Sequence, residues 1–566
     1  MSRFARRACI GAAAGGCAGI ALAFVLQSPW FILLGMALGA GYAVTIRPLA
    51  GSGVDSLMAA ASLGIPAWAL FSVIAAPIAS GRMQSWEPES IRALFPALVG
   101  WIIYGSALGL LVQAFSDLAA RLAGPEAEPV APPPIEKKRV VILGGGFAGM
   151  GTAECLEKQF FGDDSVSITL VSETNALLFT PMLAEVAGGS LDPGHISTPL
   201  RSSLHRTEFI RGRVQRIDVD RRIVEVGDRS SGSSGLYARE VPYDHLVLAL
   251  GAISNYLGMA NVEKLAFNFK SLLDAIRIRN HIIEMIERAD REPDVATRAP
   301  LLTFVIAGGG FAGVELAGSV NDFAHGILAD YPNLRAEELR TVLVHGRDVI
   351  LPELSESLGR YAQRRMAERG VTFRLNTRLK DVEPGRVILS DGDVPSATLV
   401  WTAGTAPNPL VKTLPVETDK RGAVRVESTF AVPGHLGLWA LGDCASVNDA
   451  KTGLPCPPTA QFAIRQAAVL AKNIRAAIAG KPLQGFHFDS LGALCVVGHQ
   501  TACAEISVPF VKGGKMRFSG LLAWLMWRAI YLGKLPGFER KIRVMINWTI
   551  ELFFPRDIVQ TIDLKD

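Results

Sequence analysis

The stretch RVVILGGGFAGMGTAECL, Arg139–Leu156, reads as a strand, a tight turn and a helix. Val140 to Leu143 is a short apolar run that ends directly on Gly144, and an amphipathic helix follows from about Phe147. In this G-x-G-x-x-G spacing, Gly144 permits the turn, Gly146 lets a pyrophosphate approach the backbone, and Gly149 lets the helix pack closely on the strand. Phe147 and Ala148 open the helix, whose unpaired N–H groups and dipole favour an anion. The next β-rich run, SVSITLVSE, ends at Glu173, a side chain able to accept both hydroxyls of an adenosine ribose. The glycine spacing alone is weak evidence. Strand, helix and acidic residue in their places make it a prediction of an α/β dinucleotide-binding unit.

The same unit is spelled a second time. LLTFVIA supplies a strand, Gly308, Gly310 and Gly313 the turn, and FAGVELAG the helix, Phe311–Gly318. The following strand, RTVLVHGR, reaches His345 and then Arg347. Two such units predict two dinucleotides held face to face, a flavin that stays bound and a nicotinamide that comes and goes. The other reading, one working turn and one decayed duplicate, sits badly with two copies that keep all three glycines. Two further segments carry the chain between the units: YDHLVLALGAIS, Tyr243–Ser254, and LVWTAGTAPNP, Leu399–Pro409. Their Gly251 and Gly404 are candidate cofactor-facing positions. A late segment, GLWALGDCAS, returns to the first unit and places Asp443 at the ribityl or pyrophosphate part of a flavin.

Outward from these units the composition changes. The chain has 566 residues, 49% of them hydrophobic, with a mean hydropathy of +0.28. The apolar excess lies mostly before residue 122, with a smaller patch after residue 517. Charged residues almost vanish between Ala8 and Val54, where only Arg47 interrupts. Four apolar stretches, about 8–26, 29–46, 57–79 and 92–116, match the roughly 17–25 residues that span hydrocarbon. Three helices, with the first pair a hairpin buried in protein, is the other count. Arg3, Arg6 and Arg7 precede the block and Arg121, Lys137, Lys138 and Arg139 follow it, with Arg47 inside and Arg82 on the opposite side. The positive-inside bias then puts both ends in the cytoplasm. A cleaved export signal, suggested by Arg6-Arg7 and by AGGC ending at Cys17, is the weaker reading, because further spans follow. No charged side chain lies well inside a span, which argues for an anchor or docking surface and against a pump. Gly11, Gly15 and Gly19, Gly35 and Gly39, and Gly105 and Gly109 have the spacing of close helix packing.

The expected organisation is a transmembrane block over 1–122, a proline-rich linker over 123–138, and a flavin domain in two parts, 139–255 and 405–484. A nicotinamide domain is inserted at 256–404, and a membrane-associated region covers 485–566. In that last region Trp524, Trp527, Tyr531 and Trp548 mix with Arg528, Lys534 and Glu539, as in helices lying in a membrane interface. A pair of core helices is the other reading. The formal charge is +4, with no basic block that would suggest nucleic acid. Seven cysteines without a C-x-x-C pair argue against a disulfide framework or a zinc site, and no metal site is expected.

Four features together resemble the type II, or alternative, NADH dehydrogenases: LLFTPMLAEVAGGSLDPGHISTPLR (Leu177–Arg201), GVELAG, PPTAQFAIRQ (Pro457–Gln466), and the aromatic, basic C-terminus ending FFPRDIV. The resemblance covers about residues 138–566. It implies the two-dinucleotide-binding-domain flavoprotein fold, with tandem Rossmann-like FAD and NAD domains. The implied activity is non-pumping NADH:quinone oxidoreduction at the cytoplasmic face of the inner membrane, with FAD, NADH and quinone as cofactors and acceptor. It also implies Thr180 and Pro181 beside the flavin ring, Glu315 where flavin and nicotinamide meet, and Gln461 at the quinone entrance. Two departures stand out. Arg465 occupies a position where the family usually has Gln, with Gln466 following. His345 stands where NADH-preferring members often have Glu, so NADPH is an open alternative; a plain surface His and Arg is the other reading. Membrane lipid is the expected surroundings, a homodimer and a membrane partner of the N-terminal helices are open, and no nucleic acid is expected. Two rival functions remain. A sulfide:quinone oxidoreductase would need sulfur-relaying cysteines, for which Cys444 and Cys456 are the candidates. A redox-responsive membrane flavoprotein controlling a partner would bind cofactor tightly with negligible quinone turnover.

Overall fold

The computed structural model describes residues 3–25, 28–45, 53–79, 81, 93–123, 137–227, 239–508 and 514–560. Arg47, Arg82 and the linker between 124 and 136 lie outside them. The chain divides into two compact units, Met1–Pro134 and Ile135–Asp566.

The first unit is helical: α1 (Arg3–Val25), α2 (Trp30–Thr45), α3 (Gly53–Ile78) and α4 (Phe95–Ala123). Three of these, not four, are long and apolar enough to cross a membrane. The exception is α2, whose 16 residues reach only about 24 Å against about 30 Å of hydrocarbon. Instead α2 lies flush on α1. A Cβ added at Gly15 would stand 2.1 Å from the Gly35 carbonyl oxygen, and one at Gly11 2.2 Å from that of Gly39. Glycine is required because the backbones touch. Gly105 and Gly109 do the same for α4 against α3, at 2.3 Å from Ala60 O and 2.5 Å from Ser56 O. Polar groups are paired inside: Tyr42 Oη donates to Ser56 O at 2.7 Å, Tyr104 Oη to Gly35 O at 2.8 Å, and Trp101 Nε1 to Ser72 Oγ at 2.9 Å. The middle of α3, Trp68–Ala75, is wound as a π-helix.

The second unit holds two five-stranded parallel sheets of matching plan. The first runs Leu438–Ala440, His245–Leu248, Lys138–Leu143, Val166–Ser172, Thr207–Arg211. The second runs Phe267–Asn268, Thr398–Trp401, Thr303–Ala307, Arg340–Val344, Val371–Arg374. In each, the strand entering the glycine turn is central, which is why Val140 to Leu143 and Phe304 to Ala307 are buried on both faces. The edge strands have opposite origins. Leu438–Ala440 reaches the first sheet from late in the chain, whereas Phe267–Asn268 precedes its sheet. The two connecting segments pair antiparallel, Ala252 with Pro407 and Ser254 with Thr405.

Helix Ala460–Ile478 covers the first turn's helix, Phe147–Gln159; a Cβ on Gly151 would lie 3.3 Å from the Ala467 Cβ. The C-terminal region opens with a three-stranded antiparallel sheet, Gly492–Gly498, Thr501–Ser507 and Lys515–Ser519. Two helices follow, Gly520–Lys534 and Phe538–Glu551. They are neither fully buried nor fully exposed. Trp524, Trp527, Val544 and Trp548 point inward, while Leu521, Leu522, Leu525, Ile542, Met545, Ile546 and Ile550 point out. The inward half belongs to the core reading and the outward half to the interfacial one.

Candidate active site

At the first turn Gly144 has φ +111° and receives no Cβ without collision: Ala249 O would be 2.2 Å away. A Cβ on Gly149 would stand 1.8 Å from Gly144 O, so helix and strand meet through bare backbone. Gly146, the cap of the helix, is exposed, with nothing within 4 Å of its Cβ position. That open approach to helix-terminal N–H groups is what a pyrophosphate needs. Phe147 and Ala148 follow, the latter buried. Glu173 is exposed at the end of the second strand, 3.6 Å from Arg213. Thr180 and Pro181 lie in a short 3-10 turn, Thr180–Met182, with Thr180 exposed. Gly251 has φ +66° and an open Cβ position.

Asp443 sits in the turn Gly442–Cys444, half-buried, its carboxyl raised by burial against the opposing charges of Lys270 and Arg421. Two supports of this turn were not singled out in the sequence. Gln466 Oε1 accepts the Gly442 N–H at 2.9 Å, and Lys270 comes from the other sheet's neighbourhood. The hint for Gln466 is a polar side chain on the apolar face of an otherwise amphipathic helix.

The second turn repeats the first. Gly308 has φ +126°, a Cβ on Gly313 would stand 1.8 Å from Gly308 O, and Gly310 caps helix Phe311–Ile327. A Gly310 Cβ would meet only Glu353 Oε1, at 3.1 Å. Gly404 closes on Asn255, whose N–H donates to the Gly404 carbonyl at 3.0 Å. His345 turns under the glycines, where its Nδ1 accepts the Gly309 N–H at 3.2 Å. Burial and the Arg347 charge lower its pKa. The residues of both turns therefore fit dinucleotides in their chemistry: backbone donors, room at Gly146 and Gly310, and a ribose acceptor at Glu173.

Glu315 points from the second turn's helix toward the C-terminal sheet. Its Oε1 accepts the Val496 N–H at 3.3 Å. Burial lifts its pKa to about 8; the Val496 bond opposes the rise and the nearby Glu185 charge adds to it. An aromatic column runs past it: Phe147 and Phe179 edge to face at 5.8 Å, Phe179 and Tyr531 at 6.2 Å, Tyr531 and Trp527 at 4.8 Å between centroids. The column joins the first glycine turn, the Thr180 turn and the tail helices.

Glu185, inside the quoted 177–201 stretch but not picked out there, belongs to the same region. Its Oε2 accepts the Trp548 indole N–H at 3.2 Å, and burial lifts its pKa to about 7 against the attraction of Arg528. The Arg528 guanidinium lies between two indoles, 3.8 Å from the Trp524 centroid and 4.5 Å from that of Trp548. It pairs with Glu551 at 3.0 Å, which also holds Arg556 at 3.1 Å and the Ser190 hydroxyl at 2.8 Å. The signal available in the sequence was an acid in an apolar run, LAEVA.

Gln461 is apart from Glu315's bonds. Its Nε2 donates to Gly492 O at 3.4 Å and its Oε1 accepts from Ser490 at 3.2 Å, joining its helix to the first strand of the C-terminal sheet. Arg465 is exposed and lies over the Phe488 ring. Neither candidate sulfur-relay cysteine is built as a nucleophile. Cys444 is fully buried and donates to Leu248 O at 3.3 Å, and burial pushes both Cys444 and Cys456 up to about 11. No cluster of metal-ligating side chains occurs among the described residues.

Comparison with known proteins places this geometry. Residues 138–467 match the family described as Pyridine nucleotide-disulphide oxidoreductase, and residues 491–557 match the NDH2 C-terminal domain. The Type II NADH:quinone oxidoreductase Ndh of Mycobacterium tuberculosis is 32% identical over 448 residues, covering 76% of this chain and 91% of its own length. The solved structure of NDH2 from Plasmodium falciparum in complex with NADH superposes with a TM-score of 0.68 at 17% identity, over 75% of this chain and 100% of that one. The sulfide:quinone oxidoreductase of Aquifex aeolicus shares the fold, with a TM-score of 0.55 at 21% identity over 74% of this chain and 95% of that one.

Proposed function

The chain belongs to the type II NADH:quinone oxidoreductases, and we propose from that membership how its own residues carry the reaction NADH + H⁺ + quinone → NAD⁺ + quinol. The single observation that carries the reading is the pair of matching glycine turns, each with its own five-stranded sheet, that share the aromatic column and Glu315. FAD, when bound, accepts two electrons as a hydride from NADH and gives them up to quinone.

The residues around it bind, align and exclude. Gly144, Gly146, Gly149, Glu173, Gly251 and Asp443 hold the flavin dinucleotide, with Thr180 and Pro181 beside its ring. Gly308, Gly310, Gly313, His345 and Gly404 hold the nicotinamide dinucleotide. Aligning two rings is the larger part of such catalysis, since hydride transfer asks little of acids and bases. Glu315 keeps a proton at neutral pH beside the column and is the group suited to supply it as quinol forms. Gln461 lines the approach of quinone by fixing its helix against the 490–492 segment.

The outward apolar faces of helices Gly520–Lys534 and Phe538–Glu551, with Lys534, Lys541 and Arg543 near them, suit a lipid interface and so the uptake of a dissolved quinone. The first unit serves as an additional anchor without proton pumping. Its flanking arginines favour a catalytic unit on the cytoplasmic side of the inner membrane.

The test uses purified protein in detergent without oxygen. NADH should bleach the flavin absorbance, and a short-chain quinone should restore it rapidly. Bleaching by sulfide alone would overturn the reading, and bleaching without recovery would remove quinone as the acceptor.

A further inference from the structure

The two glycine turns match in backbone and differ in what stands over them. Their first glycines both have positive φ, +111° at Gly144 and +126° at Gly308. Their last glycines, Gly149 and Gly313, would each bring a Cβ to 1.8 Å from the first one's carbonyl oxygen. The middle glycine is the one a pyrophosphate approaches. Nothing lies within 4 Å of the Cβ position of Gly146. At Gly310 a carboxylate oxygen, Glu353 Oε1, stands 3.1 Å from that position, with its Cδ at 4.0 Å. The side chains nearest the first turn's Gly145 are Ser172 and Leu200, which carry no charge.

A built loop brings the carboxylate there. After strand Arg340–Val344, residues 345–354 fold back over the turn before helix Glu356–Ala367 begins. His345 Nδ1 accepts the Gly309 N–H at 3.2 Å, and the Leu351 N–H donates to Gly309 O at 2.7 Å. Both backbone polar groups of Gly309 are therefore held by this loop. Leu351 is buried with φ +55°, a conformation bulky side chains rarely adopt and that the surroundings must hold. On the loop's other side Gly359 packs close, a Cβ there standing 2.5 Å from Ile350 O. The Leu354 N–H closes back on Leu351 O at 2.9 Å, with Glu353 inside that short turn. Glu353 forms no ion pair among the described residues. Burial raises its pKa, and the charge of Arg347 on the same loop opposes the rise.

We propose that the Glu353 carboxylate competes with the pyrophosphate of the nicotinamide dinucleotide for the space over Gly310, so that the nucleotide seats only as this side chain swings toward Arg347. Like charges a few ångströms apart repel, and more strongly where water is displaced. The opposition weakens binding of NADH and NAD⁺ alike and speeds release of the product. The proposal rests on the second turn being the nicotinamide site and adds the residue that sets its affinity.

The experiment is calorimetric titration of the detergent-solubilised holoenzyme with ADP-ribose, which carries the pyrophosphate without the nicotinamide, and with adenosine, which carries neither. Glu353→Gln keeps the shape of the side chain and removes its charge. The variant should bind ADP-ribose about tenfold more tightly than the wild type, as expected on relief of a partly screened like charge, and adenosine equally. An ADP-ribose affinity that the substitution leaves unchanged or weakens would overturn the proposal. So would an equal gain for adenosine, since the side chain would then obstruct the nucleoside and not oppose the phosphates. Titrations with magnesium chloride and with EDTA test the opposite use of the carboxylate. Magnesium-dependent binding that is lost in Glu353→Gln would make Glu353 a ligand to a bridging cation, and the proposal would fail. Flavin content and melting temperature check that the variant is folded. Equal binding of ADP-ribose to both proteins defeats this proposal alone, whereas binding to neither also removes the second turn as the nicotinamide site.

Discussion

At pH 7 the Glu315 carboxyl carries its proton, because burial has raised its pKa to about 8. If that proton is the one delivered to quinol, Glu315→Gln should leave flavin reduction by NADH nearly intact. Reoxidation by quinone should slow by about a hundredfold, a typical share for a general acid. Stopped-flow measurement of the two half-reactions separates these, and equal slowing of both would assign Glu315 to ring alignment instead. In the wild type, reoxidation should fall as pH rises through 8 and the carboxyl loses its proton. Glu185 makes a second, independent prediction about stability. Its folded pKa of about 7 stands above the ordinary 4.5, so the folded state binds this proton more tightly than the unfolded chain. Its contribution is therefore whole below pH 4.5 and is lost as pH rises through 7. Melting curves of Glu185→Gln should decline less across that window than those of the wild type; parallel curves would remove the assignment. Neither shift could be read from the sequence, since both come from burial that only the folded chain produces. Glu315's location was carried by motif, and Glu185 was one acid among several in a quoted stretch.

Among the elements, the glycine turns were the most legible, for a local reason. A turn that needs positive φ at its first glycine and backbone contact at its last writes both demands into six residues. The two connecting strands, the late Asp443 turn and the amphipathic tail helices were legible on similar local grounds. The extent of α2 was legible to one residue at each end, at 29–46 against Trp30–Thr45, but not its falling short of a span, since 16 residues lie just under the spanning length. Gln466 on Gly442 was not either, since that bond joins residues 24 apart. The turn geometry separates two glycine replacements that look alike on paper. Gly146→Ala has open space for its methyl and should fold normally, yet bind FAD weakly because the methyl stands where the pyrophosphate approaches. Gly149→Ala drives a methyl to 1.8 Å from Gly144 O, so strand and helix must part and the melting temperature should fall with the flavin content. Flavin absorbance per chain and thermal melts, measured together, check the pair. A Gly146→Ala protein with full flavin would show that the phosphates do not pass there.

The molecule meets lipid, on this reading, at two places of different kinds. The first unit has three helices of spanning length, while the tail offers only the outer halves of two helices. Placing charge on that outer face, with Leu525→Glu and Ile546→Glu together, should therefore spare turnover with a short water-soluble quinone and depress it with a long-chain quinone in vesicles. The ratio of the two rates is the measurement, and an unchanged ratio would mean that the tail takes no part in quinone delivery. A further consequence lies in the origin of the edge strands. The second sheet is complete once residue 401 has been made, but the first still lacks Leu438–Ala440. During synthesis the inserted domain can therefore complete its sheet while its host is open along one edge. That exposed parallel edge is a hazard for the nascent chain. A nascent chain that has emerged past residue 401 but not to 438 has all five strands of one sheet and only four of the other.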